Sequence, residues 1–142
     1  MRVTDRRRTN PGTRLARATE ADGVLRELLL TWMAAHGLSR DSQVSGWIRD
    51  APAGAVRWAL SWTRAGQLAG IACYATRRPH SPVVIVAARW RGRGLGTRLL
   101  QRLKARARRS GDALRPWTVG PAGDAVCRRA GLRPRRLVGG AR

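Results

Sequence analysis

Apolar positions along this chain change their spacing from segment to segment, and each change marks a new element. Val24, Leu28 and Trp32, joined by Leu25, Leu29 and Met33, recur at helical intervals and predict an amphipathic helix ending near Gly37. Thr19 and Asp22 precede it at the spacing of a capping box, in which each side chain satisfies an orphan amide of the first turn. Ahead of them, RLARA at 14–18 reads as a short strand. Val44, Trp47 and Ile48 predict a second, short helix capped by Asp41 and broken by DAPAG at 50–54. Val56, Trp58, Leu60 and Trp62 then alternate with Arg57, Ala59, Ser61 and Thr63, the period of a half-buried strand. RAGQ at 64–67 supplies a turn, and LAGIACYAT at 68–76 returns as the partner strand.

VVIVAA at 83–88 is continuously apolar and β-branched, which predicts a central strand buried on both faces. Leu95, Leu99 and Leu103, with Leu100, form the apolar face of a helix running to about Arg109, and SGD at 110–112 ends it. Trp117–Val119 reads as a short strand, Ala122–Ala130 as a short helix stopped by Gly131, and Leu132–Val138 as a last strand. The order β-α-α-β-β-β-α-β-α-β is that of one mixed α/β domain over 13–142, preceded by a basic, flexible arm over 1–12.

At 142 residues the chain can bury a core without staples. Its apolar runs are too short to span a membrane, and its basic N-terminus has no apolar stretch behind it, so a cytoplasmic protein with no membrane partner is expected. Cys73, Cys127, His36 and His80 are scattered, with no metal-ligand spacing, so no metal is expected. His36, at a helix end, reads as a solvated side chain, and His80 is a loop histidine that can act as a base.

The charge changes the picture more. Twenty-nine basic residues face eight acids, for a net +21, and all the basic residues except Lys104 are arginine. A G- and C-rich coding sequence favours arginine but does not remove acids. Residues 71–142 alone carry a net +16 and should attract polyanions. Arg98, Arg102, Arg106 and Arg109 line one helix face at intervals of three and four. Their mutual repulsion, a few tenths of a kcal/mol per pair, would be relieved by nucleic acid or an acidic protein surface.

RWRGRGLGTRLL at 89–100 concentrates this charge at the join between the predicted central strand and the helix after it. A helix N-terminus leaves amides unpaired and carries positive potential, while Gly92, Gly94 and Gly96 remove the Cβ atoms that would hold a phosphate off the backbone. Arg89, Arg91, Arg93 and Arg98 are the wrong sign for that dipole by roughly 0.3–1 kcal/mol each, and a bound anion reverses the penalty. The spacing is neither G-x-x-x-x-G-K-[ST] nor G-x-G-x-x-G, and the turn falls late in the chain, which argues against a Rossmann start.

Arg91-x-x-Gly94-x-Gly96 after an apolar strand resembles the acyl-CoA motif of the GNAT N-acetyltransferases, Q/R-x-x-G-x-G/A. Val86-Ala87-Ala88-Arg89-Trp90 stands where that family carries V-x-P-x-x. RLARATEADGVLREL at 14–28 is similar to the family's first strand and helix, and DAVCRRAGLRP at 124–134 to its segment ending Y-x-x-x-G-F, with Gly131–Leu132 as the last pair. The resemblance covers 14–138 in order and implies a mostly antiparallel central sheet flanked by helices.

It also implies acetyl-CoA as cosubstrate. Backbone groups of Val86 and Ala87 would pair with the pantetheine arm, and Arg91, Gly92, Arg93, Gly94, Leu95 and Gly96, with Thr97, would cradle the pyrophosphate. The family often places a glutamate base on the strand before the loop, yet no acid occurs between Asp50 and Asp112. Its tyrosine acid is replaced by Cys127, with Tyr74 as a second candidate.

Two functions follow. One is transfer of an acetyl group to an amine of a small molecule or protein, a neutral or anionic amine suiting so basic a chain. The other is a non-catalytic module of the same fold in a nucleoprotein or phage-particle assembly. Trp47, Trp58 and Trp62 permit a homodimer.

Overall fold

The computed structural model describes residues 12–16, 21–77, 81–118 and 121–136. Strand β1 (Gly12–Ala16) is followed by helices α1 (Val24–Ala35) and α2 (Gln43–Asp50). Strands β2 (Val56–Trp62), β3 (Leu68–Ala75) and β4 (Val83–Val86) come next, then a single 3-10 turn (Ala88–Trp90) and helix α3 (Leu95–Arg109). Strand β5 (Trp117–Thr118), helix α4 (Pro121–Arg129) and strand β6 (Arg135–Arg136) complete the described chain. The first four strands form one antiparallel sheet in the order β1-β2-β3-β4, and β5 and β6 form a separate parallel pair. The mixed α/β order and the mostly antiparallel sheet are those expected. Thr19, His80, Val119, Leu137, Val138 and residues 1–11 of the expected 1–12 arm lie outside the described residues, and Gly12 begins β1.

Alternation along each strand sorts the core into two layers. Val56, Trp58, Leu60, Ile71 and Cys73 point to the face covered by α1 and α2, where Leu29, Leu30, Met33 and Ile48 meet them. Ala59, Ala72 and Tyr74 point to the opposite face, where Leu95, Leu99, Leu100, Leu103 and Ala107 of α3 and Cys127 of α4 close the second layer. Strand β2 is therefore covered on both sides and is not half-buried. Its alternate positions Ala59 and Ser61 are small, and α3 packs over this part of the sheet. Trp58 is buried in the core and Trp62 half-buried, so of the tryptophans expected to permit a dimer, Trp58 is unavailable.

Further expectations are corrected. Among the described residues strand β4 is an edge strand, half-buried along its length. Its continuous apolar run arises because Val83 and Ile85 pack on one layer and Val84 and Val86 on the other. Helix α1 buries Arg26, Leu29, Leu30 and Met33, whereas Val24 and Leu28 are exposed. Among the described residues no side chain caps α1, whose N-cap is Gly23, and α2 is capped by Ser42 rather than Asp41, its hydroxyl accepting from the Ser45 amide at 3.1 Å.

Asp22 has a different task. One carboxylate oxygen accepts from the Arg26 guanidinium at 2.6 Å and the other from the Gly54 amide at 2.7 Å. Arg26 also donates to the carbonyls of Ile48, Ala51 and Pro52. A buried guanidinium thus neutralises the C-terminal end of α2 and ties both helices to the turn before β2.

Gly70 on β3 sets how closely α3 approaches the sheet. A Cβ there would lie 2.8 Å from Leu99 Cδ1, 3.3 Å from the Ile85 carbonyl oxygen and 3.5 Å from Leu95 Cδ2. Gly70→Val should lower the free energy of unfolding by about 1–3 kcal/mol, the range for overpacking a filled core. Urea titration checks this, and an unchanged midpoint would contradict the close approach.

Candidate acyl-CoA site

The ladder between β3 and β4 fixes which backbone groups are available. Gly70 pairs with Val86 and Ile71 with Ile85, and the Ala87 amide donates to the Ala69 carbonyl at 2.9 Å. Antiparallel strands alternate the direction of their polar groups, so Val83, Ile85 and Ala87 face β3 while Val84 and Val86 face the open edge. The Ala87 carbonyl also accepts from the Trp90 amide at 2.8 Å, which tightens the chain into the 3-10 turn. Of the two residues expected to pair with pantetheine, only Val86 turns its amide to the free edge, and Val84 shares that edge.

Beyond the turn, Gly92 and Gly94 have φ of +78° and +77°, and nothing lies within 4 Å of a Cβ built on either. Gly94 is the left-handed N-cap of α3 and makes no side-chain cap bond, having no side chain to offer. The first intrahelical bond runs from the Arg98 amide to the Gly94 carbonyl, at 3.1 Å. Helix geometry therefore leaves the amides of Leu95, Gly96 and Thr97 without an intrahelical acceptor, at the positive end of a 15-residue helix.

Gly96 plays another part than the one expected of it. Its Cβ would lie 3.5 Å from Val84, 3.6 Å from Val86 and 3.8 Å from Val126, so it faces β4 and α4 rather than the open side. The site is glycine-open at 92 and 94 only.

The arginines divide their work. Arg91 turns back on the chain, its Nε donating to the Val86 carbonyl at 2.9 Å and an Nη to the His36 carbonyl at 3.5 Å. It positions the loop. Arg89 and Arg93 bracket the Trp90 ring, with guanidinium carbons 5.9 and 4.9 Å from its centroid. Along α3, Arg98, Arg102 and Arg109 are exposed, whereas Arg106 is half-buried and its charge acts on Tyr74. The four-arginine face expected there is thus a three-arginine face.

Cys127 and Tyr74 both belong to the core layer under α3, but their hydroxyl and thiol chemistry differ. The Tyr74 hydroxyl donates to Asp112 Oδ2 at 2.6 Å, close to the end of α3 remote from Gly94. Five residue steps along β3 separate Tyr74 from Ala69, a run of about 16 Å. Burial and the Asp112 carboxylate push the tyrosine well above its ordinary value. Cys127 sits on α4, where Gln101 donates to the Arg129 carbonyl at 3.4 Å, and just past its end Lys104 Nζ donates to the Gly131 carbonyl at 3.0 Å. Burial, then the Asp124 carboxylate, raise the Cys127 thiol. It remains protonated at neutral pH, a proton donor and a poor nucleophile. Burial alone raises Cys73 on the opposite layer.

One residue gains importance from the structure. His36 stacks on Trp32 with ring centroids 4.1 Å apart, close to the Arg91 contact, and is half-buried. The only sequence signal for this was the interval of four on α1, which puts the two side chains on one face.

Among the described residues, the outer edge of β4 runs into a positive, glycine-opened helix N-terminus. The sequence pattern of the Acetyltransferase (GNAT) family matches residues 21–128, and the chain belongs to this family, whose members take acyl groups from acyl-CoA. Two solved structures show the same fold. An assigned acetyltransferase of Acinetobacter baylyi ADP1 is 20% identical with a TM-score of 0.60, covering 87% of this chain and 80% of its own. A Trypanosoma brucei acetyltransferase is 20% identical with a TM-score of 0.52, covering 87% and 93%. No curated protein matches the chain. Among the described residues no helix is long and apolar enough to cross a membrane.

The raised thiols and phenol have a consequence for stability. The folded chain holds these protons more tightly than the unfolded chain, whose groups titrate at 9.0 and 10.0. Their contribution is complete below pH 9 and is lost as pH rises above it. Thermal unfolding should therefore shift to lower temperature from about pH 9 upward, less steeply in Cys73→Ala. A midpoint unchanged up to pH 11 would contradict the burial of these groups.

Proposed function

We propose that this protein is an acetyl-CoA-dependent N-acetyltransferase. The observation that carries the reading is the continuity of the Val84–Val86 free edge with the Gly92–Gly94 turn and the first turn of α3. Amides of Gly92, Gly94, Leu95, Gly96 and Thr97 hold the pyrophosphate, and the surrounding arginines supply charge without entering its backbone cradle. Polar groups of Val84 and the amide of Val86 pair with the pantetheine arm, as a further strand would. The Ala87 amide, already bonded to Ala69, takes no part.

The reaction is direct transfer. The amine nitrogen attacks the thioester carbonyl carbon and gives up its proton to water, the carbon–sulfur bond breaks, and the thiolate that leaves needs a proton. Cys127 is the group suited to give it, because its thiol stays protonated at neutral pH and it packs in the layer that Val84 and Val86 border. Tyr74 is a poorer donor, its proton held by Asp112 at the far end of α3.

Titration calorimetry tests the cofactor reading. Acetyl-CoA should bind the native chain at sub-millimolar concentration and Cys127→Ala with similar affinity. Gly94→Glu, which places a carboxylate and a strained side chain in the cradle, should weaken binding at least a hundredfold while keeping the native circular dichroism. Absence of acetyl-CoA binding to the native chain would overturn the proposal.

A further inference from the structure

Helix α3 carries a basic face that runs away from the acyl-CoA site. Arg98, Arg102 and Arg109 are exposed on one side of it. Ala105, also exposed, lies between them and completes a stripe at intervals of four, three and four. Helical rise makes this row about 16 Å long. Gln101 donates to the Arg129 carbonyl and Lys104 to the Gly131 carbonyl, so the end of α4 lies against the flank of α3. Arg128 and Arg129, both exposed, widen the basic surface there.

Charge is segregated between the two sides of the sheet. On the α1 side, Asp22 pairs with Arg26 at 2.6 Å and Glu27 with Arg40 at 2.9 Å. After Asp50 the sequence holds only two acidic residues, Asp112 and Asp124. Asp112 accepts the Tyr74 hydroxyl, and Asp124 is buried. Helix α3 itself contains no acid. Arg98 stands in its first turn against the dipole, and Arg98 and Arg102 are like charges one turn apart. The row is unfavourable by itself, and an external line of negative charge relieves it.

We propose that the outer face of α3, with the end of α4, binds the phosphate backbone of a nucleic-acid duplex. Each strand of a DNA duplex carries one phosphate per about 3.4 Å of axis, so the row runs beside about five of them. Guanidiniums bond phosphate oxygens through paired N–H groups. Neither α3 nor α4 contains an aromatic residue on which unpaired bases could stack, which favours a duplex over a single strand. Phosphate contacts fix position and carry no base information, so binding is independent of sequence. The proposal stands whether or not acetyl-CoA binds.

Fluorescence anisotropy of a short labelled DNA duplex with the full chain tests this. Affinity should fall about a hundredfold between 50 and 200 mM salt, as about four phosphate contacts require. Arg98→Gln, Arg102→Gln and Arg109→Gln combined should weaken binding about twentyfold or more and lower the salt slope by about three. Glutamine is a good helix former, so circular dichroism should stay native. The same three positions changed to lysine keep the charge and should bind within about fivefold of the native chain. Arg40→Gln, Arg49→Gln and Arg64→Gln combined remove equal charge from outside this face and should bind within about threefold. Equal losses in the two glutamine variants would trace binding to net charge and overturn the proposal, as would native affinity in the α3 variant. Displacement of the duplex by poly-L-glutamate at equal charge concentration would assign the face to an acidic protein and overturn it too.

Discussion

The seating of α3 on Gly70 governs the geometry of everything that follows β4. Leu95 and Leu99 approach the strand as closely as a missing Cβ allows, so the first turns of the helix lie directly over β3 and beside β4. Gly96 repeats the device one strand further out, against Val84 and Val86. With the helix pressed against the sheet at both places, its N-terminus must open just past the end of the ladder. Gly92 and Gly94, at positive φ, make the reversal that this requires. The cradle is thus a consequence of close packing as much as of loop composition.

The positions of the cationic side chains follow from the same constraint. A helix start crowded with arginine is electrostatically unfavourable by itself. Arg91 relieves part of this by bonding to the carbonyls of Val86 and His36, which brings α1, β4 and the loop together. Arg89 and Arg93 rest against Trp90. The loop is held by carbonyl contacts and an indole, and the first-turn amides of α3 have no intrahelical acceptor. On the far side, Lys104 and Gln101 fasten the end of α4 to α3 and fix Cys127 in the layer beneath β4.

Much of this was legible in the chain. The order of elements, the hairpin around Arg64–Gln67, the glycine turn and the family likeness all follow from residue spacing, because period-2 and period-3.6 patterns report local geometry directly. Position within the sheet did not. VVIV is as apolar at an edge covered by two layers as it would be in the centre, so its run could not reveal that the strand lies at the edge. Ala59 and Ser61 looked like a solvent face because smallness and polarity are confounded in the pattern. Arg26 broke the apolar stripe of α1 since its burial depends on carbonyls 22 to 26 residues away. Gly70 carried no local signal at all, as its role depends on α3.

The central claim is that a free β4 edge and the Gly92–Gly94 cradle hold one extended, phosphorylated ligand. Backbone amide shifts measured by NMR during an acetyl-CoA titration test it residue by residue. The account predicts the largest changes at Gly92, Gly94, Leu95, Gly96 and Thr97, continuing to Val84 and Val86, with a smaller change at the bonded amide of Ala87. Changes confined to α1 and the β2–β3 turn, with the loop and β4 unmoved, would contradict it.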